Sequence, residues 1–189
     1  MSDITDTIQE SVEHAGESKL NSRVAVFVAI TATIMALCNV KDGNIVQSMQ
    51  QAQADNIDAW SYFQAKSTKQ TQAENTLELI KLENKPGRDS LIKKYEADIA
   101  RYDKEKADIK KQAEGFKQQY DDINLFDDQF DMTEALLSIS IALFGITALT
   151  KKRWLFFFAA GVSTLGIIYG VTAFCGISLH NDFVARLLS

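Results

Sequence analysis

Three stretches of the chain carry no charge, and charged residues crowd the segment between the first and second. Residues 24–40 are 17 positions without a charge, bounded by Arg23 and Lys41. Residues 135–150 are 16 such positions, bounded by Glu134 and Lys151, and residues 154–181 are 28, ended by Asp182. A bilayer core of roughly 30 Å needs about 20 residues of helix, with about 17 as the short limit. The third run meets that length alone. The first two meet it once Ser22, Asn39, Met132 and Thr133 sit at the interface. Two buried helices of a soluble protein would need other apolar helices to wrap them, and the rest of the chain is too polar to supply any. The pattern predicts transmembrane helices at 22–41, 132–150 and 154–178, with an N-terminal segment at 1–21 and a tail at 179–189.

The first run does not read as a cleaved leader. The residues before it are acidic overall and hold only Lys19 and Arg23 as positive charges, unlike a basic signal start. "MALC" around Cys38 approaches a lipoprotein cleavage box, but Leu37 stands where a small residue is required.

Between the first and second runs the pattern changes period. Residues 41–131 hold 14 Lys and Arg against 18 Asp and Glu, and the only proline. Pro86 precedes Gly87, a pair that stops one helix and turns the chain. After it, Ile92, Tyr95, Ile99, Tyr102, Lys106, Ile109, Ala113, Phe116, Tyr120 and Ile123 recur at alternating three- and four-residue spacing. Before it, Ile45, Met49, Ala52, Asn56, Ala59, Phe63, Lys66, Gln70, Ala73, Leu77 and Ile80 keep the same rhythm less strictly. Such a rhythm is the seam of a coiled coil. Folding at a turn over 84–89 pairs the two lists in order, Ile80 with Ile92 through Met49 with Ile123. The expectation is all-α: three transmembrane helices, with a long antiparallel coiled-coil hairpin at 42–131 inserted between the first and second. Its arms would be roughly 55–60 Å long.

One layer of that seam is awkward, because Lys66 would face Lys106. Two accounts are open: both lysines reach solvent or pair with Glu105 and other carboxylates, or they bind an anion or an acidic partner helix. Trp60, Tyr62 and Phe63 add more aromatic surface than one seam needs. With Lys66 and Lys106 they are the expected contacts with another subunit or partner.

Charge sets the orientation. Lys151, Lys152 and Arg153 join the second and third runs, and short Lys/Arg-rich loops stay cytoplasmic, with Trp154 as an interfacial anchor. Residues 151–153 are then a cytoplasmic turn and 42–131 and the C-terminus are periplasmic. Lys19 and Arg23 fall on the inner side, and the five Asp of "DDINLFDDQFD" on the outer side.

Small residues recur within all three runs: Ala25, Ala29, Ala32 and Ala36; Ala135, Ser138, Ala142 and Gly145; Ala159, Ser163, Gly166, Gly170 and Ala173. In lipid, helices associate through such stripes, so these are expected packing faces within or between subunits. No charge lies inside a run, which counts against pumps and active transporters. A passive or tension-gated pore lined by Thr31, Ser138, Ser140 and Thr147 stays open. Two joints are expected, a bend at Gly43–Asn44 and a new helix start at Asp131, where Glu134 completes the capping-box spacing.

Catalytic chemistry is sparse. His14 and His180 fall on opposite sides of the expected membrane. Cys38 and Cys175 lie at similar depth and are a candidate disulfide, geometry permitting. Asp121/Asp122 and Asp127/Asp128 could hold divalent cations but read better as solvated acidic surface. No metal-ligand spacing, phosphate loop or nucleophile motif occurs. A net charge of −5 with the inner basic residues close to the membrane argues against nucleic acid. Neither a cofactor nor an enzymatic activity is expected. Residues 2–18 would form a short amphipathic helix with Ile4, Ile8 and Val12 on one face.

"LNSRVAVFVAITATIMALCNVKDGNIVQ" followed by "AWSYFQAKSTKQ", residues 20–47 and 59–70, resembles the bacterial membrane-protein family called domain of unknown function four-three-three-seven. That family has one N-terminal span, a "YYQAKS"-like stretch, a helical segment and a C-terminal pair of spans. Trp60, Tyr62, Gln64, Ala65, Lys66 and Ser67 stand in the matching positions here. The resemblance covers most of residues 20–180. It implies no activity, and it marks 60–67 as more than a generic seam.

The functional expectation is a non-enzymatic bacterial inner-membrane protein. Its partners would be the lipid bilayer and further copies of itself, forming an envelope scaffold or ring. The alternatives are an accessory subunit of a larger complex with another membrane protein, and a passive or tension-gated channel.

Overall fold

The computed structural model describes residues 2–83 and 85–179. The tail beyond Leu179, with His180, and the side chains of Ile4, Ile8, Val12 and His14 lie outside the described residues. Three helices make up nearly all of the described chain: α1 Ser2–Leu82, α2 Asp89–Thr150 and α3 Arg153–Phe174. The fold is all-α, and each helix contains a window long and apolar enough to cross a membrane.

The two connections fall where breakers stand. Between α1 and α2, Pro86 cannot donate a backbone hydrogen bond, and Gly87 takes φ +87°, a conformation that side chains disfavour. Arg88 reaches back to Glu83 at 2.7 Å across that turn. Between α2 and α3, Lys151 adopts φ +57° and its N–H donates to the Thr147 carbonyl at 2.8 Å. At the end of α3, Gly176 (φ +72°) lets the N–H of Ile177 reach the carbonyl of Thr172 at 2.9 Å, a Schellman-type close.

Neither expected joint interrupts the helices. The backbone is helical through Gly43 and Asn44 and again through Asp131–Glu134. One glycine costs a helix only about 1 kcal/mol against alanine. Continuing an existing helix also avoids the cost of nucleating a new one. At the second position Thr133 Oγ1 donates to the carbonyl of Gln129, 2.9 Å away in the preceding turn, so the capping-box spacing goes unused.

Two compact units divide the chain. One comprises the chain up to Val46 with the chain from Asn124 onward, and the other is Gln47–Ile123. Residues 42–46 and 124–131, grouped with the hairpin on sequence, therefore pack with the apolar unit. Ile45 and Phe130 explain this, since both join Cys38, Ala173 and Ile34 in one cluster. The ring of Phe130 meets that of Phe174 edge-on at 5.5 Å.

At the other end of the apolar unit, Leu20, Val24, Phe144, Phe156 and Ala159 form a second cluster. Phe27 stands edge-on to Phe156 at 5.2 Å and 5.9 Å from Phe144. The buried hydroxyls inside the unit find partners within the chain. Thr31 and Ser163 share a hydrogen bond of 2.9 Å. Ser140 and Thr147 donate to the carbonyls of Leu137 and Leu143 at 2.7 and 2.8 Å. Ser138 is exposed, 3.6 Å from Met35 Sδ. Of the four residues named as a pore lining, Thr31, Ser140 and Thr147 are buried within the chain and Ser138 is exposed. Three of them are consumed in helix contacts, and the fourth faces outward.

The three small-residue stripes have different fates. Ala159, Ser163, Gly166, Gly170 and Ala173 of α3 are all buried. By contrast Ala25, Ala29, Ala32 and Ala36 of α1, and Ala135, Ser138, Ala142 and Gly145 of α2, are exposed. Their expected role in packing is not exercised within the chain. Shape is the reason. The narrow face of α3 receives larger side chains, namely Leu137 and Thr133 of α2 and Cys38 of α1. A Cβ on Gly166 would stand 2.8 Å from Leu137 Cδ2, and one on Gly170 would stand 2.9 Å from Thr133 Cγ2 and 3.0 Å from Cys38 Sγ. Small residues on two facing helices would leave a void.

Candidate functional site

In the unit Gln47–Ile123 the two helical segments run antiparallel: Lys81 meets Glu96, Gln70 meets Asp103, and Asn56 meets Ala113. Every position of the three-four rhythm from Met49 to Ile123 is buried or half-buried. Met49, Ala52, Ala73, Leu77, Ile80, Ile109 and Ala113 are the most enclosed. Asn56, polar within this seam, donates its side-chain amide to the Ala113 carbonyl at 2.6 Å.

The two lysines of the awkward layer diverge. Lys66 Nζ lies 2.6 Å from Glu105 Oε2, with the ring centroids of Tyr62 and Tyr102 at 5.1 and 5.6 Å. Lys106 Nζ lies over Phe63 at 5.6 Å and reaches Asp103 at 3.8 Å. Arg101 adds a second cation to Glu105 at 3.6 Å. The hydrogen bond to Glu105 raises the Lys66 ammonium above its usual range, and the same bond holds the Glu105 carboxyl below its own. Pairing with Glu105, one of the two accounts open from the sequence, is the arrangement in the structure.

The aromatic excess divides as well. Phe63 is half-buried and meets Trp60 edge-on at 5.5 Å. Trp60 and Tyr62 remain 37% and 53% exposed, a large aromatic surface on the outside of this unit. Gln64 and Ala65 are exposed beside them and Ser67 is half-buried.

The apolar unit holds a cluster that sequence reasoning missed. Asp42 of α1 meets Asp127, Asp131 and Glu134 of α2. Burial first, then the charges of Asp127, Asp131 and Glu134, push the Asp42 carboxyl up to about 6, and a hydrogen bond with Asp127 adds to this. The same bond acts downward on Asp127, but burial and its acidic neighbours still raise it. The opposite signs of that bond's effect assign a proton shared by the pair to Asp42 rather than Asp127 below about pH 6. Asp131 is raised too, by burial and then by Asp128 and Glu134. Among the described residues no group of three or more His, Cys, Asp or Glu is arranged to hold a metal ion.

The sign of the resulting pH dependence follows from the raised value. The folded chain holds the Asp42 proton more tightly than the unfolded chain does. This stabilisation is complete below the ordinary Asp range and is lost as pH rises through about 6. The full displacement from 3.8 to about 6 corresponds to about 3 kcal/mol, which partial solvation reduces to about 1 kcal/mol. Asp42→Asn should therefore stabilise the purified protein by about 1 kcal/mol at pH 7.5 and flatten its stability between pH 4 and 7. Thermal unfolding across that range is the check, and an unchanged slope in the variant counts against the shared proton.

Gln129, 4% exposed, was also missed. Its amide donates to the Tyr169 carbonyl at 3.1 Å and to Thr172 Oγ1 at 2.8 Å, and its oxygen accepts from the Leu179 N–H at 3.1 Å. It ties α2 to the end of α3. Cys38 and Cys175, the candidate disulfide, are both free thiols. Cys38 is buried against the Gly170 surface, whereas Cys175 is exposed beyond the end of α3.

With this geometry in place, comparison with known proteins is brief. A family model described as "Domain of unknown function (DUF4337)" matches residues 20–176. No curated protein and no solved structure matches the chain.

Proposed function

The chain belongs to the DUF4337 family, whose description carries no activity, and we propose from its surfaces that it is a non-enzymatic inner-membrane protein of bacteria that self-assembles into an envelope scaffold or ring. The observation that carries this reading is the contrast among the small-residue stripes. The α3 stripe is buried so closely that a Cβ added at Gly166 or Gly170 would stand less than 3 Å from a neighbour, while the stripes of α1 and α2, of the same residue types, are exposed. In lipid such faces associate by close approach. A second copy of the chain is their natural occupant.

Membrane insertion is supported by three apolar helices whose outward side chains include Val26, Ile30, Leu37, Ile139, Ile146 and Leu165. Lys19 and Arg23 share one end of the unit with Arg153, and Asp42 shares the other with Asp127 and Asp131. The positive end belongs in the cytoplasm. This orients the N-terminus inward and residues 42–131 toward the periplasm, with Trp60 and Tyr62 as a second association surface.

The test is the mass and composition of the particle purified in gentle detergent. A discrete multiple of 21.1 kDa is expected, falling to the single-chain mass in an Ala29→Leu/Ala142→Leu variant. A monomeric wild type overturns the reading. Stoichiometric foreign polypeptides overturn it in favour of an accessory subunit, and conductance in reconstituted bilayers in favour of a channel.

A further inference from the structure

We propose that the basic cavity between the helical turn at Lys19–Arg23 and the start of α3 binds the phosphate of an anionic phospholipid; the inference rests on the membrane reading above. The cavity measures about 310 Å³ and is lined by Lys19, Leu20, Arg23, Arg153, Phe156 and Phe157. That places it at the small end of ligand pockets, about 300–1,000 Å³.

Three cations converge there, and among the described residues no carboxylate lines the walls. None of the three forms an ion pair among the described residues. Lys19 and Arg23 stand four residues apart on one helix, a spacing at which like charges repel. Arg153 brings a third charge from another helix. Other cations of the chain do find acids, as Lys66 with Glu105 and Arg88 with Glu83. An empty cavity leaves this repulsion in place, and an anion removes it. The N-terminus of α3 adds to the field: no side chain caps it and its first turn holds no acidic residue, so the positive end of its dipole is uncompensated. Two guanidinium forks match the tetrahedral oxygens of a phosphate group.

The remaining walls distinguish a lipid from a free anion. Leu20 and Phe156 are buried, whereas Phe157 and Phe158 are 70% and 56% exposed along the outer surface of α3. A site with cations on one side and aromatic surface on the other suits an amphiphile. Its phosphate would sit at the helix ends and its acyl chains along α3. Trp154, 65% exposed, stands at the level where indole rings occupy a bilayer interface. Basic pockets between helices at the cytoplasmic face are where anionic headgroups bind.

The experiment uses the full chain in mild non-ionic detergent at fixed ionic strength. It is titrated separately with phosphatidylglycerol, phosphatidylcholine and inorganic phosphate, with bound lipid counted by native mass spectrometry and the unfolding midpoint followed in parallel. Wild type should retain phosphatidylglycerol over phosphatidylcholine by about tenfold or more. Arg23→Gln/Arg153→Gln should lose that preference, while Lys41→Gln, at the acidic end, should keep it. Equal retention of the two lipids by wild type overturns the proposal, as does an undiminished preference in the double variant. A midpoint shift produced in full by inorganic phosphate overturns the lipid assignment. Alkaline carbonate extraction of native membranes separates the two levels: a chain released by carbonate refutes membrane spanning, whereas an integral chain without lipid preference refutes the site alone.

Discussion

Gly170→Val should destabilise the apolar unit by about 2–3 kcal/mol, the largest effect expected of any single substitution here. Even a lone Cβ at this position would stand 2.9 Å from Thr133 Cγ2 and 3.0 Å from Cys38 Sγ. Thr133 has little freedom to give way, because its hydroxyl is bonded to the Gln129 carbonyl at 2.9 Å. Cys38 is only 2% exposed and has no open space to retreat into. The helices must part, and each loses dispersion contacts along the whole stripe. Gly145→Ala is the matched control. It has nothing within 4 Å to strike, and alanine favours the helix by up to about 1 kcal/mol. Thermal unfolding in detergent should therefore move in opposite directions for the two variants. A Gly170→Val protein as stable as wild type would mean that α3 does not seat against α1 and α2 as described.

Gln129→Leu should cost about 2 kcal/mol, second only to Gly170→Val. Leucine fills a similar volume, so the loss isolates hydrogen bonding from packing. Three bonds disappear together, to the Tyr169 carbonyl, Thr172 Oγ1 and the Leu179 N–H. Thr172 has a fallback in its own turn, since its hydroxyl also donates to the Ile168 and Tyr169 carbonyls at 3.0 and 2.8 Å. The Leu179 N–H has no such alternative near the helix end and must turn to water. The local signature should be faster amide exchange over residues 175–179 with little change in the unit Gln47–Ile123. Exchange that accelerates equally in both units would refute Gln129 as a local tie.

The sequence made the covered faces of the Gln47–Ile123 unit legible because they rest on period alone. A run such as Ala73, Leu77 and Ile80 on one helix, or Ile109 and Ala113 on the other, repeats often enough to outweigh any one polar member. The turn was legible for a similar reason, since Pro86–Gly87 has no other comfortable backbone. Joints at Gly43 and Asp131 were misread because a single glycine or one capping-box spacing is a weak local preference set against continued helix propagation. The stripes were half legible. Composition identified Gly166 and Gly170 as small. Which stripe is covered depends on what Leu137, Thr133 and Cys38 present across the gap, and no single helix encodes that. Asp42 and Gln129 were invisible, because their partners lie far along the chain and neither stands in a motif.

The bond between Thr31 and Ser163 joins residues 132 positions apart, and this separation bears on how the chain is made. At synthesis rates of about 5–20 residues per second, the groove that receives α3 waits roughly 7 to 26 seconds for it. Through that interval Val24, Thr31 and Cys38 have no α3 to cover them. The α3 of a neighbouring nascent chain carries the same Ser163, Gly166 and Gly170, so on crowded polysomes it competes for the groove. Exchange of α3 between copies is the misassembly to which this order of synthesis exposes the fold.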